Sequence, residues 1–247
     1  MNKSIVSVIT IAFNEKDNIG YTLSSVKEQS YDGIEYIIVD GGSTDGTLEV
    51  IKEYRAIVDV LVSEKDAGIY DAMNKGLRKA TGDYVIFMNA GDEFYDRYTV
   101  ETVLNSGNNS DIIFGETKLI DENRKVIGDR KLKAPKIFTW KSFRFGMSIC
   151  HQAIYIKRSI VSDYDLSYKL SSDIDWVITA AKKASTSKYC GQYVAKYLVG
   201  GVSDQRNWES LKERYQILKK HYGFFPNIFA HVYIAIRFIL LRLRGWV

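Results

Sequence analysis

Three uninterrupted apolar runs of strand length limit what this chain can become. They are Ser4 to Ala12 (SIVSVITIA), Tyr36 to Asp40 (YIIVD) and Tyr84 to Met88 (YVIFM). A strand with one wet face alternates polar with apolar residues, whereas a run without alternation belongs to a strand covered on both faces. Helix-period segments lie between the runs: Ile19, Leu23 and Val26 after the cap-type pair Asp17-Asn18, then Leu48, Ile51 and Tyr54, then Ile69, Ala72, Met73, Leu77 and Ala80. A further short strand is expected from Asp59 to Ser63. Thr81-Gly82-Asp83 is expected to stop the third helix, with Gly82 supplying a left-handed exit. This alternation predicts an α/β domain with a mostly parallel central sheet and right-handed crossovers, flanked by helices.

Each run opens onto polar residues. The first gives Phe13-Asn14-Glu15, the second Asp40 followed by Gly41-Gly42-Ser43-Thr44-Asp45-Gly46-Thr47, and the third Asn89-Ala90-Gly91-Asp92-Glu93. In open α/β sheets, ligands sit just beyond the carboxyl ends of strands. A glycine-rich connection satisfies a tight strand-to-helix turn, but an acid at the very end of a buried strand argues for ligand contact at Asp40. The acidic turn after Met88 is poorly explained by packing and well explained by a phosphate-bound cation. No G-x-G-x-x-G follows the first strand and no G-x-x-x-x-G-K-[ST] occurs, which disfavours NAD-dependent dehydrogenases and P-loop ATPases.

At 247 residues with 46% apolar content, the chain has enough for one α/β domain plus a small extension. Cys150 and Cys190 have no metal-ligand spacing and read as buried, reduced thiols, as a cytosolic protein would carry. The N-terminus MNKSIVSVITIAF runs straight into a strand pattern and reads as no signal peptide. The net charge of +4 is uneven: residues 206–247 hold eight Lys or Arg against Glu209 and Glu213. An anionic partner is therefore expected to meet the C-terminus.

Beyond Phe94 the pattern changes. Asp111 to Leu119 and Arg124 to Gly128 read as a hairpin around Asp121-Glu122-Asn123. A basic stretch, Arg130 to Lys141, precedes a strand expected at Ser148 to Ile156. Ser171-Ser172-Asp173-Ile174-Asp175-Trp176 leads a helix with Trp176, Val177, Ala180 and Ala181 inward. Acids at a helix start usually cap it, yet two Asp flanking one Ile beside a Trp make a fuller group than capping needs. Gly200-Gly201-Val202-Ser203 is expected to close the domain as a loop over the site. The expected division is a domain at 1–205, in halves 1–110 and 111–205, and a helical tail at 206–247. In the tail, His231 and Arg237 interrupt the apolar run from Ile228 to Leu241, which disfavours a transmembrane span. Two readings stay open for it: a helix lying in the interface of an anionic membrane, or one packed on the domain or a second subunit, as in a homodimer.

VDGGSTDGT, then SEKDAGIYDAMNKG, then an acidic turn after an apolar strand resembles the family 2 glycosyltransferases of the GT-A fold. The likeness is greatest to the bacterial subgroup that builds O-antigen, capsule and colanic-acid type polysaccharides. It is dense over about the first 95 residues and looser to about residue 205. The resemblance implies an inverting transfer of a hexose or N-acetylhexosamine from a nucleotide diphosphate sugar, a UDP-sugar by family weight, to a lipid-linked oligosaccharide at the inner face of the cell membrane. No nucleic acid is expected as a partner.

It also implies roles. Ile11, Ala12, Phe13, Asn14, Glu15, Asp40, Gly42, Ser43 and Asp45 would hold the nucleoside side of the donor. Asp66, Asp71, Asn74, Lys75 and Asn89 would sit near its diphosphate and sugar. Many relatives carry Arg at the position of Met73; here Met73 reads as core, leaving the diphosphate to Lys75 or to a basic residue after Arg130. The family's Asp-x-Asp is Asn89-Ala90-Gly91 in this chain, so Asp92 is the expected ligand of Mg²⁺ or Mn²⁺. Asp173 matches the family's general base, in a Glu-Asp pair whose Glu is Ser172 here, with Asp175 as the rival base. His151 and Trp176 are placed on the acceptor side. The departure at the metal turn keeps a second reading open, a non-catalytic nucleotide-sugar-binding or scaffold subunit.

Overall fold

A computed structural model describes residues 3–200 and 207–243. One nine-stranded sheet runs through the domain in the order β3-β2-β1-β4-β8-β6-β9-β5, with β7 paired to β6. The strands are β1 (Val6–Ala12), β2 (Ile34–Asp40), β3 (Val60–Ser63), β4 (Tyr84–Phe87), β5 (Glu93–Phe94), β6 (Ile112–Ile120), β7 (Val126–Asp129), β8 (Ile154–Lys157) and β9 (Ser187–Leu198). The first four pair in parallel, as the uninterrupted apolar runs require. Residues Tyr36 to Val39 and Tyr84 to Met88 are buried throughout.

The helices are α1 (Lys16–Lys27), α2 (Thr47–Glu53), α3 (Ile69–Lys79), α4 (Thr99–Gly107), α5 (Ser172–Lys183), α6 (Asn207–Tyr222) and α7 (Phe224–Leu243). The inward faces read from the sequence are buried at Ile19, Leu23 and Val26 in α1, at Ala72, Met73 and Leu77 in α3, and at Trp176, Val177, Ala180 and Ala181 in α5, whereas Ile69, at the start of α3, is exposed. Met73 is core, with no exposed surface. Helix α3 lies so close to β1 that a Cβ on Gly76 would come within 2.5 Å of the Ile9 side chain. Its exit differs from expectation. The chain leaves through Ala80 in extended conformation. Gly82 serves close approach, since a Cβ there would meet the Ile5 carbonyl at 2.8 Å.

The second half mixes directions. Strand β8 runs antiparallel to both β4 and β6, joining the two halves through Val85 and Ile156. The hairpin of β6 and β7 forms as expected, with Arg124 at φ 64° in its turn. Strand β8 is shorter than the expected strand from Ser148, because His151–Ala153 forms a 3₁₀ turn before it. The long β9, parallel to β6, was not foreseen. Its sequence SKYCGQYVAKYL alternates too weakly to stand out beside a loop. Both cysteines are buried and free.

The tail begins as a docked helix. Glu213 accepts the backbone N–H groups of Lys169 (2.7 Å) and Leu170 (2.8 Å), Ile217 and Leu218 are buried, and Tyr222 stacks on Trp140. Gly223, at φ 86°, turns the chain from α6 into α7. No described helix is long and apolar enough to cross a membrane. Of the expected glycine-rich closing loop, only Gly200 is among the described residues.

Candidate functional site

The parallel register sets the strand exits side by side. Ala12 pairs with Asp40, and the ladder continues past the strands: Gly41 N–H donates to the Ala12 carbonyl (2.9 Å), Met88 N–H to Ile9 (2.9 Å) and Ala90 N–H to Ile11 (3.1 Å). Phe13, Asp40 and Asn89 thus leave the sheet along one edge. Asn14 adopts φ 54°, where Asn is tolerated. From there its N–H donates to Ser43 Oγ (2.8 Å) and its Oδ1 accepts from Thr44 N–H (3.0 Å), locking the first exit to the second. Lys16 N–H donates to Asp45 (3.1 Å) and Glu15 N–H to Thr47 Oγ1 (2.8 Å), extending the same seam. The Thr47 hydroxyl holds the Asp45 carboxyl below its ordinary value, while burial raises that of Glu15.

Asp40 has no exposed surface. Its carboxylate accepts from Ser63 Oγ (2.7 Å) and from the N–H groups of Gly42 (3.3 Å) and Ser43 (3.2 Å), so it braces its own turn. Asp66 closes against it: a Cβ on Gly41 would lie 2.3 Å from Asp66 Oδ2 and 3.3 Å from the Phe13 ring. The Phe13 ring itself is 60% exposed. Lys75, next along the rim, bridges Glu64 (2.9 Å) and Asp71 (3.7 Å); the hydrogen bond it donates to Glu64 leads in raising its ammonium pKa.

Across the edge a chain of side chains joins the two halves. His151 Nε2 lies 3.4 Å from Asn89 Nδ2, and its Nδ1 lies 3.3 Å from Asp173 Oδ2. Tyr70, from the first turn of α3, donates its hydroxyl to Asp173 Oδ1 (3.2 Å). Burial by itself pushes the Asp173 carboxyl up, but the hydrogen bond and charge of His151, with Arg214 and Tyr70, outweigh it and hold the group below its ordinary value. Asp173 keeps 16% of its side chain exposed and His151 12%, so both remain reachable from the edge.

Four expected site residues are placed elsewhere. Asp92 points inward, 4% exposed: Gln152 Nε2 donates to its Oδ2 (2.8 Å) and Leu198 N–H to its Oδ1 (3.1 Å). Burial pushes its carboxyl up to about 6 despite those donors. A carboxylate held in this way ties the end of β9 to the β4 exit. Asp175 is engaged by His221 (2.7 Å) and Lys220 (3.0 Å) of α6 and faces that helix. Trp176 is 3% exposed, donates to the Ser162 carbonyl (2.7 Å) and stacks on Tyr164, so it is core rather than acceptor wall. Asn74 spends both amide atoms on the Tyr164 backbone, at 3.0 and 2.6 Å, and does not face the donor edge.

Among the described residues no three His, Cys, Asp or Glu converge as a metal cage. A carboxylate cannot be restored at residue 91, because Gly91 sits at φ 95° with Leu198 Cδ2 only 2.9 Å from where a Cβ would stand. Ligand-type oxygens are open at this turn: Asn89 Oδ1 and, beside Asp92, Gln152 Oε1 are buried with no hydrogen-bond partner.

A family model, glycosyl transferase family 2, matches residues 7–164, which run from the first strand through the site edge and His151. The chain belongs to family 2 of the glycosyltransferases. Among relatives of this family, a glycosyltransferase of PGL/p-HBAD biosynthesis from Mycobacterium tuberculosis is 27% identical across all of this chain and 92% of its own length. An uncharacterized glycosyltransferase of the same organism is 33% identical over 71% of this chain and 68% of its own. A glycosyltransferase named for teichuronic acid biosynthesis in Bacillus subtilis is 26% identical over 88% of both. The fold is that of GT-A glycosyltransferases: S. aureus TarS in complex with UDP superposes with a TM-score of 0.67 at 19% identity, over 88% of this chain and 65% of that one. A Pyrobaculum calidifontis mannosyltransferase in complex with GDP-Man and Mn²⁺ gives 0.65 at 18%, over 98% and 76%.

Two side chains at this edge were not signalled by the sequence, Tyr70 at the Asp173 carboxylate and Arg124 at the Gly91 carbonyl. Tyr70 is adjacent to Asp71 in the recognised motif, yet only the α3–α5 packing shows that it reaches Asp173. Arg124 lies 33 residues from Gly91 and donates to its carbonyl (2.8 Å) while stacking over Tyr21. Nothing in its local sequence signals that reach.

Proposed function

We propose that this glycosyltransferase moves a hexose or N-acetylhexosamine from a nucleotide diphosphate sugar, a UDP-sugar first, onto a hydroxyl of a lipid-linked oligosaccharide during surface polysaccharide synthesis. The carrying observation is the line from Asn89 through His151 to Asp173, which sets a carboxylate of the second half against the strand exits of the first. The names of the relatives, in teichuronic acid and PGL biosynthesis, support the polymer class. UDP and GDP-Man in the similarly folded proteins support the donor class.

In this reading the nucleoside lies between Phe13 and the Asp40 turn, with the exposed Phe13 ring available to the base. Ala12, Asn14, Glu15, Gly42, Ser43 and Asp45 shape that seat, and Asp66, Asp71 and Lys75 border the diphosphate. Asp173, held as an anion by His151 and Tyr70, accepts the proton of the acceptor hydroxyl as its oxygen attacks the anomeric carbon. The bond from that carbon to the diphosphate oxygen breaks, the electron pair leaves with the nucleoside diphosphate, and the configuration inverts. Mg²⁺ or Mn²⁺ when bound would offset the diphosphate charge. Such ions commonly take one or two protein oxygens and complete their shell from substrate phosphates and water, and Asn89 Oδ1 is the atom suited to that role.

The test is UDP release from UDP-sugars in the presence of Mn²⁺, with UDP binding measured in parallel. Asp173→Asn is expected to cut turnover by about 10²–10⁴-fold, the usual contribution of a general base, with UDP affinity nearly unchanged. Turnover equal to the native protein's removes the assignment. No turnover with any donor, alongside tight nucleotide binding, favours the scaffold reading.

A further inference from the structure

Helix α7 is inside out. Phe225 and Phe229 are 73% and 71% exposed, and Val232 and Ile236 are 52% and 53% exposed. These four recur at four- and three-residue spacing, so they form one stripe, widened on its flanks by Ile228 and Tyr233. The polar side faces inward: Asn227 is fully buried and donates to the Tyr215 carbonyl (3.1 Å), and His231 packs edge-on against the Tyr215 ring. A helix finishing a water-soluble surface places these residue types the other way round. The stripe is held outward by α6, which is itself pinned to the domain through Glu213, Ile217 and Tyr222.

Charge decides what covers it. From Arg214 to Val247 the sequence contains six Lys or Arg and no acid. A second copy of the chain would meet this face by two-fold symmetry, setting each basic segment against its twin. A bilayer with anionic headgroups attracts the same segment, and aromatic residues with aliphatic neighbours suit the depth of its interface. We infer that α7 lies flat in an anionic membrane surface, apolar stripe down, and fixes the domain on the bilayer. Tyr233 touches Phe145, in the turn segment that runs on to the 3₁₀ turn at His151, so the membrane face and the catalytic edge are linked through a short stretch of chain. This orientation deepens the reading of the acceptor as lipid-linked and rests on it, while the docking itself is measurable without any sugar chemistry.

The experiment is co-sedimentation of the full chain with vesicles of phosphatidylcholine alone and of phosphatidylcholine mixed with phosphatidylglycerol, at low and high salt. Oligomeric state is measured by light scattering in the same buffers. Binding is expected to the mixed vesicles, weakened by salt, with little to phosphatidylcholine. F225S combined with F229S should weaken it by at least about tenfold, because two exposed aromatic rings lose their burial in lipid. UDP release in detergent-free buffer should be unchanged, since neither ring touches the site edge. Equal binding by that double variant overturns the inference. So does a native dimer that the variant converts to monomer without any vesicle binding, which assigns the face to a second copy. Loss of UDP release in both proteins, with vesicle binding intact, sinks the transferase reading and leaves the docking standing.

Discussion

His151 stands between Asn89 and Asp173, 3.4 Å from one and 3.3 Å from the other, and bridges the two. It presents Nδ1 to the carboxylate and Nε2 to the amide, so a single ring fixes the acid of α5 relative to the β4 exit. His151→Ala is expected to lower kcat by about ten- to a hundredfold through misplacement of Asp173, with KM for the donor changed far less. Steady-state kinetics with varied donor checks the split. A KM rise at constant kcat would return His151 to substrate binding.

Asp175 ties α5 to α6. His221 and the Asp175 carboxyl are 5% and 8% exposed, and Lys220 is 46% exposed. Breaking a buried pair costs about 3–5 kcal/mol; the exposure of Lys220 puts Asp175→Ala near the lower bound, roughly 3 kcal/mol. Burial works to raise the Asp175 carboxyl, but His221 and Lys220 outweigh it, so the group lies below its ordinary value of 3.8. A carboxyl depressed by folding stabilises above its unfolded pKa and loses that contribution as pH falls through the folded one. The native Tm should therefore drop toward that of Asp175→Ala below about pH 3.8. Thermal melts of both proteins across pH 3 to 6, roughly the carboxylate range, measure this.

Asp92 and Gly91 make a paired prediction. Asp92→Ala strands the Leu198 N–H and the Gln152 amide in a buried place and should cost about 1–3 kcal/mol, with the Mn²⁺ dependence of UDP binding unaltered. Gly91→Asp rewrites the turn toward the family's usual acid. It should still lose stability by 1 kcal/mol or more, roughly the cost of a side chain at positive φ, and gain no metal affinity. Denaturant melts and calorimetric UDP titrations with and without Mn²⁺ decide both.

Phe13→Ala removes an exposed ring from the mouth of the Asp40 turn. Loss of stacking on a base is worth about 1–3 kcal/mol, so UDP affinity should fall roughly tenfold or more while Tm stays within a degree or two. An unchanged affinity would place the nucleoside elsewhere on the edge.

The N-terminal half was legible because its signals are local. Fully buried strands have no alternation, glycine-rich turns follow them, and an acid at a strand end is visible in the string. The placement of Asp173 near the same edge was readable by resemblance, and the coordinates bring it there through His151. The expected site residues that the structure places away from the edge share one feature. Asp92, Asp175, Trp176 and Asn74 are polar or amphipathic groups in the expected segments, but each is consumed by a partner distant in sequence: Leu198, His221, Ser162 and Tyr164. Long-range satisfaction of a buried polar group leaves no trace in local pattern. The same holds for β9, whose identity as a strand comes from pairing with β6.

The antiparallel join of β4 to β8 welds the N-terminal and C-terminal halves into a single ribbon of hydrogen bonds. Among the described residues the sheet runs unbroken across that join, so the strand exits of the first half and the carboxylate of α5 stand on one common floor.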